Sequence, residues 1–148
     1  MNNNMRKEKE IVMTTEALRY MQTFERYTGS KVKDCFEYEG KVIFIVDPQQ
    51  VMLAVGKNGE KIIDMEKMLN KKIQVVEFNP NIEQFVRNLF YLYKPTKIEF
   101  SDKNNIKHVT VTVDPQLKAR AIGKEGKNLK IAREILVRHT ELNSINIA

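Results

Sequence analysis

A gapless internal repeat constrains this chain more than any other feature. The fourteen residues from Val46 to Gly59 (VDPQQVMLAVGKNG) recur from Val113 to Gly126 (VDPQLKARAIGKEG), 67 positions downstream. Val, Asp, Pro, Gln, Ala, Gly, Lys and Gly coincide, eight of the fourteen positions. Matching at that density in one register points to tandem duplication, so a chain of 148 residues holds two small cores rather than one. Of six glycines, four stand in the two Gly-Lys-x-Gly loops: Gly56, Gly59, Gly123 and Gly126. Glycine takes positive φ freely and lets another molecule approach the main chain. A simple turn between helices needs one glycine, not the same four-residue loop twice.

Around each loop the residue pattern repeats as well. Thr14 and Thr15 are N-cap residues for a helix over 16–27, with Ala17, Leu18, Met21 and Phe24 at helical spacing and Gly29 as its stop. Residues 31–38 alternate as a strand, placing Val32, Asp34, Phe36 and Tyr38 on one face and Lys33, Cys35 and Glu37 on the other. After a turn at Gly40, residues 42–46 (VIFIV) form a buried strand. Asp47-Pro48 then caps a short helix over 48–55, since Pro at the first helical position forfeits no hydrogen bond. Beyond the loop, Ile62, Met65 and Leu69 form a helical stripe, and 72–78 returns to strand alternation. The second unit follows suit: a helix over 82–92, a short strand over 97–100, a polar turn over 101–105 and a strand over 107–113. Asp114-Pro115 opens the next helix, Leu129, Ala132 and Leu136 take the places of Ile62, Met65 and Leu69, and a strand over 142–147 closes the chain. The organisation expected is a disordered tail at 1–10, a first domain at 11–79 and a second at 80–148.

Composition narrows the partners. A net charge of +6 and a pI of about 9.4 favour a polyanion or an anionic surface. No apolar run reaches the ~20 residues of a membrane span, and MNNNMRKEKE has no signal-peptide core. Cys35 is the single cysteine, which suits a reducing cytoplasm, and His108 and His139 are isolated, so no metal set is expected. Asp47 and Asp114 read as helix caps rather than a catalytic carboxylate pair. No nucleophile stands beside a base in any local motif. An enzyme, a cofactor and a small-molecule substrate are therefore not expected.

A strand, a short helix ending in Val/Ile-Gly-Lys-x-Gly, a second helix and a strand resemble the KH nucleic-acid-binding module. The extra helix and strand precede that core, which resembles the type II arrangement. Two such units, each with Asp-Pro opening the helix before its loop, resemble the archaeal NusA-like transcription termination and antitermination factors. The resemblance covers residues 11–148 and implies an α+β fold, each domain a three-stranded sheet with helices packed on one face. It also implies single-stranded RNA, the nascent transcript, as partner, with RNA polymerase as a second. Bacterial relatives carry a further polymerase-binding domain and an oligonucleotide-binding barrel, and no stretch of this chain is assigned to either.

In this module type the glycine loop clamps about four nucleotides. The candidate RNA-binding residues are accordingly Gly56, Lys57, Asn58 and Gly59 in the first loop, and Gly123, Lys124, Glu125 and Gly126 in the second. The helices that begin near Glu60 and Lys127 offer unpaired N–H groups and a positive dipole end. Val55 and Ile122 would floor the site for bases. Between Pro115 and Arg133 stand six cations, Lys118, Arg120, Lys124, Lys127, Lys130 and Arg133, against Glu125 alone, a balance of +5. The equivalent stretch from Pro48 to Glu66 has Lys57 and Lys61 against Glu60, Asp64 and Glu66, a balance of −1. Phosphate contacts dominate affinity for such ligands, so the second unit is expected to be the stronger site. Glu125 opposes that by placing a carboxylate inside the second loop. The helix over 48–55 is apolar all round, as an interface helix would be, and the tyrosines read as packing or interface residues rather than base-stacking platforms. Two alternatives remain open: a ribosome-associated or RNA-processing KH protein, and a protein–protein scaffold that docks on polymerase.

Overall fold

The first helix starts where a threonine can cap it: the Thr14 hydroxyl accepts from the Ala17 amide at 3.0 Å. Helix α1 (Thr15–Thr28) then runs to Gly29, whose φ of 75° ends it in the left-handed region. These coordinates come from a computed structural model that describes residues 11–148; the expected tail at 1–10 lies outside the described residues. Two units emerge, Ile11–Asn79 and Pro80–Ala148, each with its own three-stranded mixed sheet, and the fold is α+β as expected.

In the first unit β1 (Val32–Tyr38) and β2 (Lys41–Val46) pair antiparallel. They turn at Glu39 and Gly40, both at positive φ (51° and 78°), the geometry whose twist matches a tight hairpin. Strand β3 (Lys72–Glu77) lies parallel to β2, in register from Lys41↔Lys72 to Val46↔Glu77. A parallel neighbour needs a crossover. Here it is α2 (Val51–Val55), the glycine loop and α3 (Glu60–Leu69), so the sheet fixes both ends of the segment that carries the loop. Phe24 and Phe44 stack at 4.0 Å between ring centres in a core shared with Val42, Val46, Ala54, Met65 and Ile73.

Two expectations need correction here. The register shifts between Val32 and Asp34, a β-bulge that breaks simple alternation. Val32 and Cys35 therefore join the same core, although their spacing had put them on opposite faces. The second correction concerns Asp47, which does not cap α2. Gln49 sits at φ 69°, its amide donates to Glu77 Oε2 at 3.4 Å, and Gln50 Oε1 accepts from the Lys31 amide at 2.9 Å. Those ties to the flanking strands hold residues 47–50 in a turn, so the helix begins only at Val51, with no side-chain cap.

The second unit repeats the order. Asn81 caps α4 (Ile82–Leu89) by accepting from the Gln84 amide at 2.9 Å. The helix ends earlier than expected, and a 3-10 turn, Tyr91–Tyr93, follows it. Strand β4 (Lys97–Lys103) runs through residues expected to form a turn, and pairs with β5 (Ile106–Thr112). The turn itself is only Asn104-Asn105, at φ 53° and 65°. Asparagine tolerates that region best after glycine, which is why two can do the work of Glu39-Gly40. Helices α5 (Pro115–Ile122) and α6 (Lys127–His139) then cross to β6 (Ser144–Ile147), parallel to β5 from His108↔Ser144 to Val111↔Ile147. Asp114 caps α5 as expected, its Oδ1 accepting from the Gln116 amide at 2.8 Å with Pro115 in the first turn.

Candidate nucleic-acid interface

The two loops share one backbone conformation. Gly56, Asn58 and Gly59 stand at φ/ψ of 78/175°, 55/28° and 73/15°. Gly123, Glu125 and Gly126 stand at 86/163°, 57/25° and 73/16°. Extended backbone at positive φ is nearly confined to glycine, so the first glycine of each loop is required by its own conformation. Packing adds to this at Gly123, where a Cβ would meet the Asn128 amide nitrogen at 2.8 Å. The second glycines differ: nothing lies within 4 Å of a Cβ built on Gly59 or Gly126. Their backbone is open to an approaching molecule.

Hydrogen bonds within each loop leave some of its amides free to meet one. In the second loop the Gly123 amide donates to Ala119 O, the Gly126 amide to Gly123 O, both at 2.9 Å, and the Lys127 amide to Lys124 O. The N–H of Lys127, the first of α6, is therefore already used. Among the described residues, the Lys124 and Glu125 amides take no backbone partner, and both residues are exposed. In the first loop the same holds for Lys57 and Asn58. Neither α3 nor α6 has a side-chain cap, so each keeps an open positive end behind its loop. Two adjacent amides, a helix terminus and a lysine at one loop make a site able to hold phosphate.

Charge separates the two copies. Lys118, Arg120, Lys124, Lys127, Lys130 and Arg133 are all exposed, and none joins an ion pair among the described residues. In the first unit Lys61 is committed internally: Nζ donates to Leu53 O at 3.0 Å and to Thr28 O at 3.1 Å. That leaves Lys57 as the available cation of its stretch, so the asymmetry is wider than a charge count implies. Helix α2 buries only Ala54 and leaves the apolar Met52 87% and Leu53 45% exposed. Ile122 and Val55 are half-buried at the ends of their helices, beside the loops.

A positioning residue in each unit escaped the sequence pattern. Asn128, the counterpart of Lys61, donates from Nδ2 to Arg120 O at 3.0 Å and to Tyr93 Oη at 3.2 Å. Arg120 is the counterpart of Leu53, so both units tie the start of the second helix to the end of the first through different side chains. The shared function is visible in the 67-residue spacing, but Lys and Asn do not resemble each other as letters. Among the described residues no group of three His, Cys, Asp or Glu could hold a metal ion, and no helix is long and apolar enough to cross a membrane.

Residues 82–148 match the family model of the NusA-like second KH domain. The probable transcription termination protein NusA of Thermoplasma acidophilum is 33% identical over 138 residues, covering 93% of this chain and 96% of that protein. Its namesake from Methanocaldococcus jannaschii is 28% identical, covering 93% and 75%. The crystal structure of APE1850 superposes with a TM-score of 0.80 at 34% identity, over 92% of this chain and all of that one (100%). Repeat, sheet topology, twin glycine loops and this similarity along nearly the whole length agree, and the chain belongs to the NusA-like family of KH-domain transcription termination proteins.

Proposed function

We propose that this protein binds single-stranded RNA as a non-catalytic factor in the regulation of transcription termination and elongation, in the cytoplasm. The observation that carries this reading is the second loop: two amides without backbone partners, on exposed residues, set among six exposed cations that form no ion pairs among the described residues. The phosphates of about four nucleotides would lie against Gly123, Lys124, Glu125 and Gly126, with Lys118, Arg120, Lys127 and Lys130 extending the cationic track. Gly56, Lys57, Asn58 and Gly59 would form a weaker second clamp. The names of the relatives support the place of this RNA in transcription termination.

Fluorescence anisotropy of short labelled single strands tests the assignment, using the Lys124→Asp/Glu125→Asp pair of substitutions against Lys57→Asp/Asn58→Asp. The second-loop variant should lose most of the affinity and the first-loop variant little. If neither variant changes binding, the loops are only turns. The exposed Met52 and Leu53 of the first unit then favour the second reading, a surface for RNA polymerase or another protein.

A further inference from the structure

The turn after α4 holds two large apolar side chains in water beside the basic helix. Tyr91–Tyr93 is fixed at both ends. Phe90 before it is buried, and the Tyr93 amide donates to Phe90 O at 2.8 Å. Tyr93 itself is half-buried, with its hydroxyl accepting from Asn128, the residue that also closes the second loop onto Arg120. Between these anchors Tyr91 is 67% and Leu92 66% exposed, and the turn packs against α5. Helix α1 of the first unit runs unbroken through Thr28 and makes no such turn, so the feature belongs to the more cationic copy alone.

Adjacent exposed apolar residues on an anchored turn need a reason, because a connection of this kind is ordinarily polar. Their surroundings are cationic: Lys94 follows in the chain, and Lys118 and Arg120 stand on the helix that the turn packs against. A ligand with flat apolar faces on a polyanionic backbone meets both demands. A duplex hides those faces inside its stack, so the strand must be single.

We propose that Tyr91, with Leu92 beside it, is a stacking platform for an unpaired base, extending the RNA site of the second unit beyond the nucleotides held by the glycine loop. Lys118 and Arg120 hold the intervening phosphates, and the Tyr93–Asn128–Arg120 hydrogen bonds keep platform and loop at a fixed separation. Stacking on an aromatic ring tolerates any base, so the platform adds affinity and length preference without sequence preference. This inference rests on the RNA-binding reading of the second loop.

The test compares four- and eight-nucleotide single strands, titrated at low salt. Tyr91→Ala should weaken the eight-mer about tenfold and leave the four-mer unchanged, while Tyr91→Phe keeps wild-type affinity for both. One abasic position in the eight-mer should abolish the difference between wild type and Tyr91→Ala, because the base that stacks is gone. The Lys124→Asp/Glu125→Asp variant should lose binding to both lengths. If that variant fails on both RNAs while Tyr91→Ala matches wild type on the eight-mer, the platform is overturned and the clamp stands. An equal loss on both lengths from Tyr91→Ala also overturns it, since the ring would then act through the loop. If the loop variant binds both lengths normally, the clamp reading itself falls.

Discussion

Asn128 donates its side-chain amide to the Arg120 carbonyl at 3.0 Å, and so closes the second glycine loop from behind. In the first unit Lys61 Nζ reaches the Leu53 carbonyl at the same 3.0 Å. The bond stands where α5 has run out of intrahelical donors, so losing it leaves a carbonyl to water. Asn128→Ala should destabilise the second unit by about 1 kcal/mol, and Asn128→Lys, which copies the first unit, by less. Urea denaturation of the two variants checks this order.

The glycines of one loop should not be equally replaceable. At Gly123 a Cβ collides with backbone, the Asn128 nitrogen at 2.8 Å, in a conformation almost closed to other residues. At Gly126 the φ is 73° but the space is empty. Gly126→Ala should cost about 1 kcal/mol, and Gly123→Ala about 3 kcal/mol or more. Gly56→Ala should cost about as much as Gly123→Ala, since the conformation is the same and its nearest clash, at 2.7 Å, is with Cγ of Lys61, whose Nζ is held by two carbonyls. Melting curves of the three variants would rank them.

The two Asp-Pro pairs make opposite predictions. Asp114 caps α5, so Asp114→Ala should cost about 1 kcal/mol. Asp47 caps nothing, and Asp47→Ala should stay within about 0.5 kcal/mol. Equal losses in chemical denaturation would contradict the difference between the two turns.

Glu125 stands at φ 57°, the conformation that Asn58 takes at 55° in the first loop. Asparagine tolerates this region better than glutamate, and it removes a carboxylate from the proposed phosphate site. Glu125→Asn should therefore raise stability by about 0.5 kcal/mol and RNA affinity about fivefold at low salt. Anisotropy titration and thermal melting on the same sample read both effects.

Lys71 Nζ lies 2.6 Å from Glu37 Oε2, and that hydrogen bond, ahead of the charge attraction, raises the lysine pKa above 10.5. The folded state binds the proton more tightly than the unfolded chain. The contribution of the pair is then whole below pH 10.5 and is lost as pH rises through the higher folded value. Lys71→Met should melt slightly below wild type at pH 7, where an exposed pair contributes little, and the two curves should converge as the lysine titrates. A melting-temperature series across the alkaline range shows whether they do.

Features that depend on neighbours in the chain were readable from letters. The 67-residue repeat, the glycine conformations, the Thr14 and Asp114 caps and the order of helices and strands are local consequences of backbone preference and periodicity. So was the concentration of cations around the second loop, because helical spacing and polarity already place those side chains on an exposed surface. What tertiary structure decided was which side chains are spent when the chain returns on itself. Gln50 reaches Lys31 and turns Asp47-Pro48 away from helix, whereas Asp114-Pro115 opens one; Lys61 leaves the pool of free cations; Tyr93 and Asn128 meet across 35 residues. The bulge at Val32 moves Cys35 into the core in the same way. A side chain bonds to whatever the fold brings within about 3 Å. No periodicity along the chain encodes that distance, since it is set by how the sheet and helices of each unit pack.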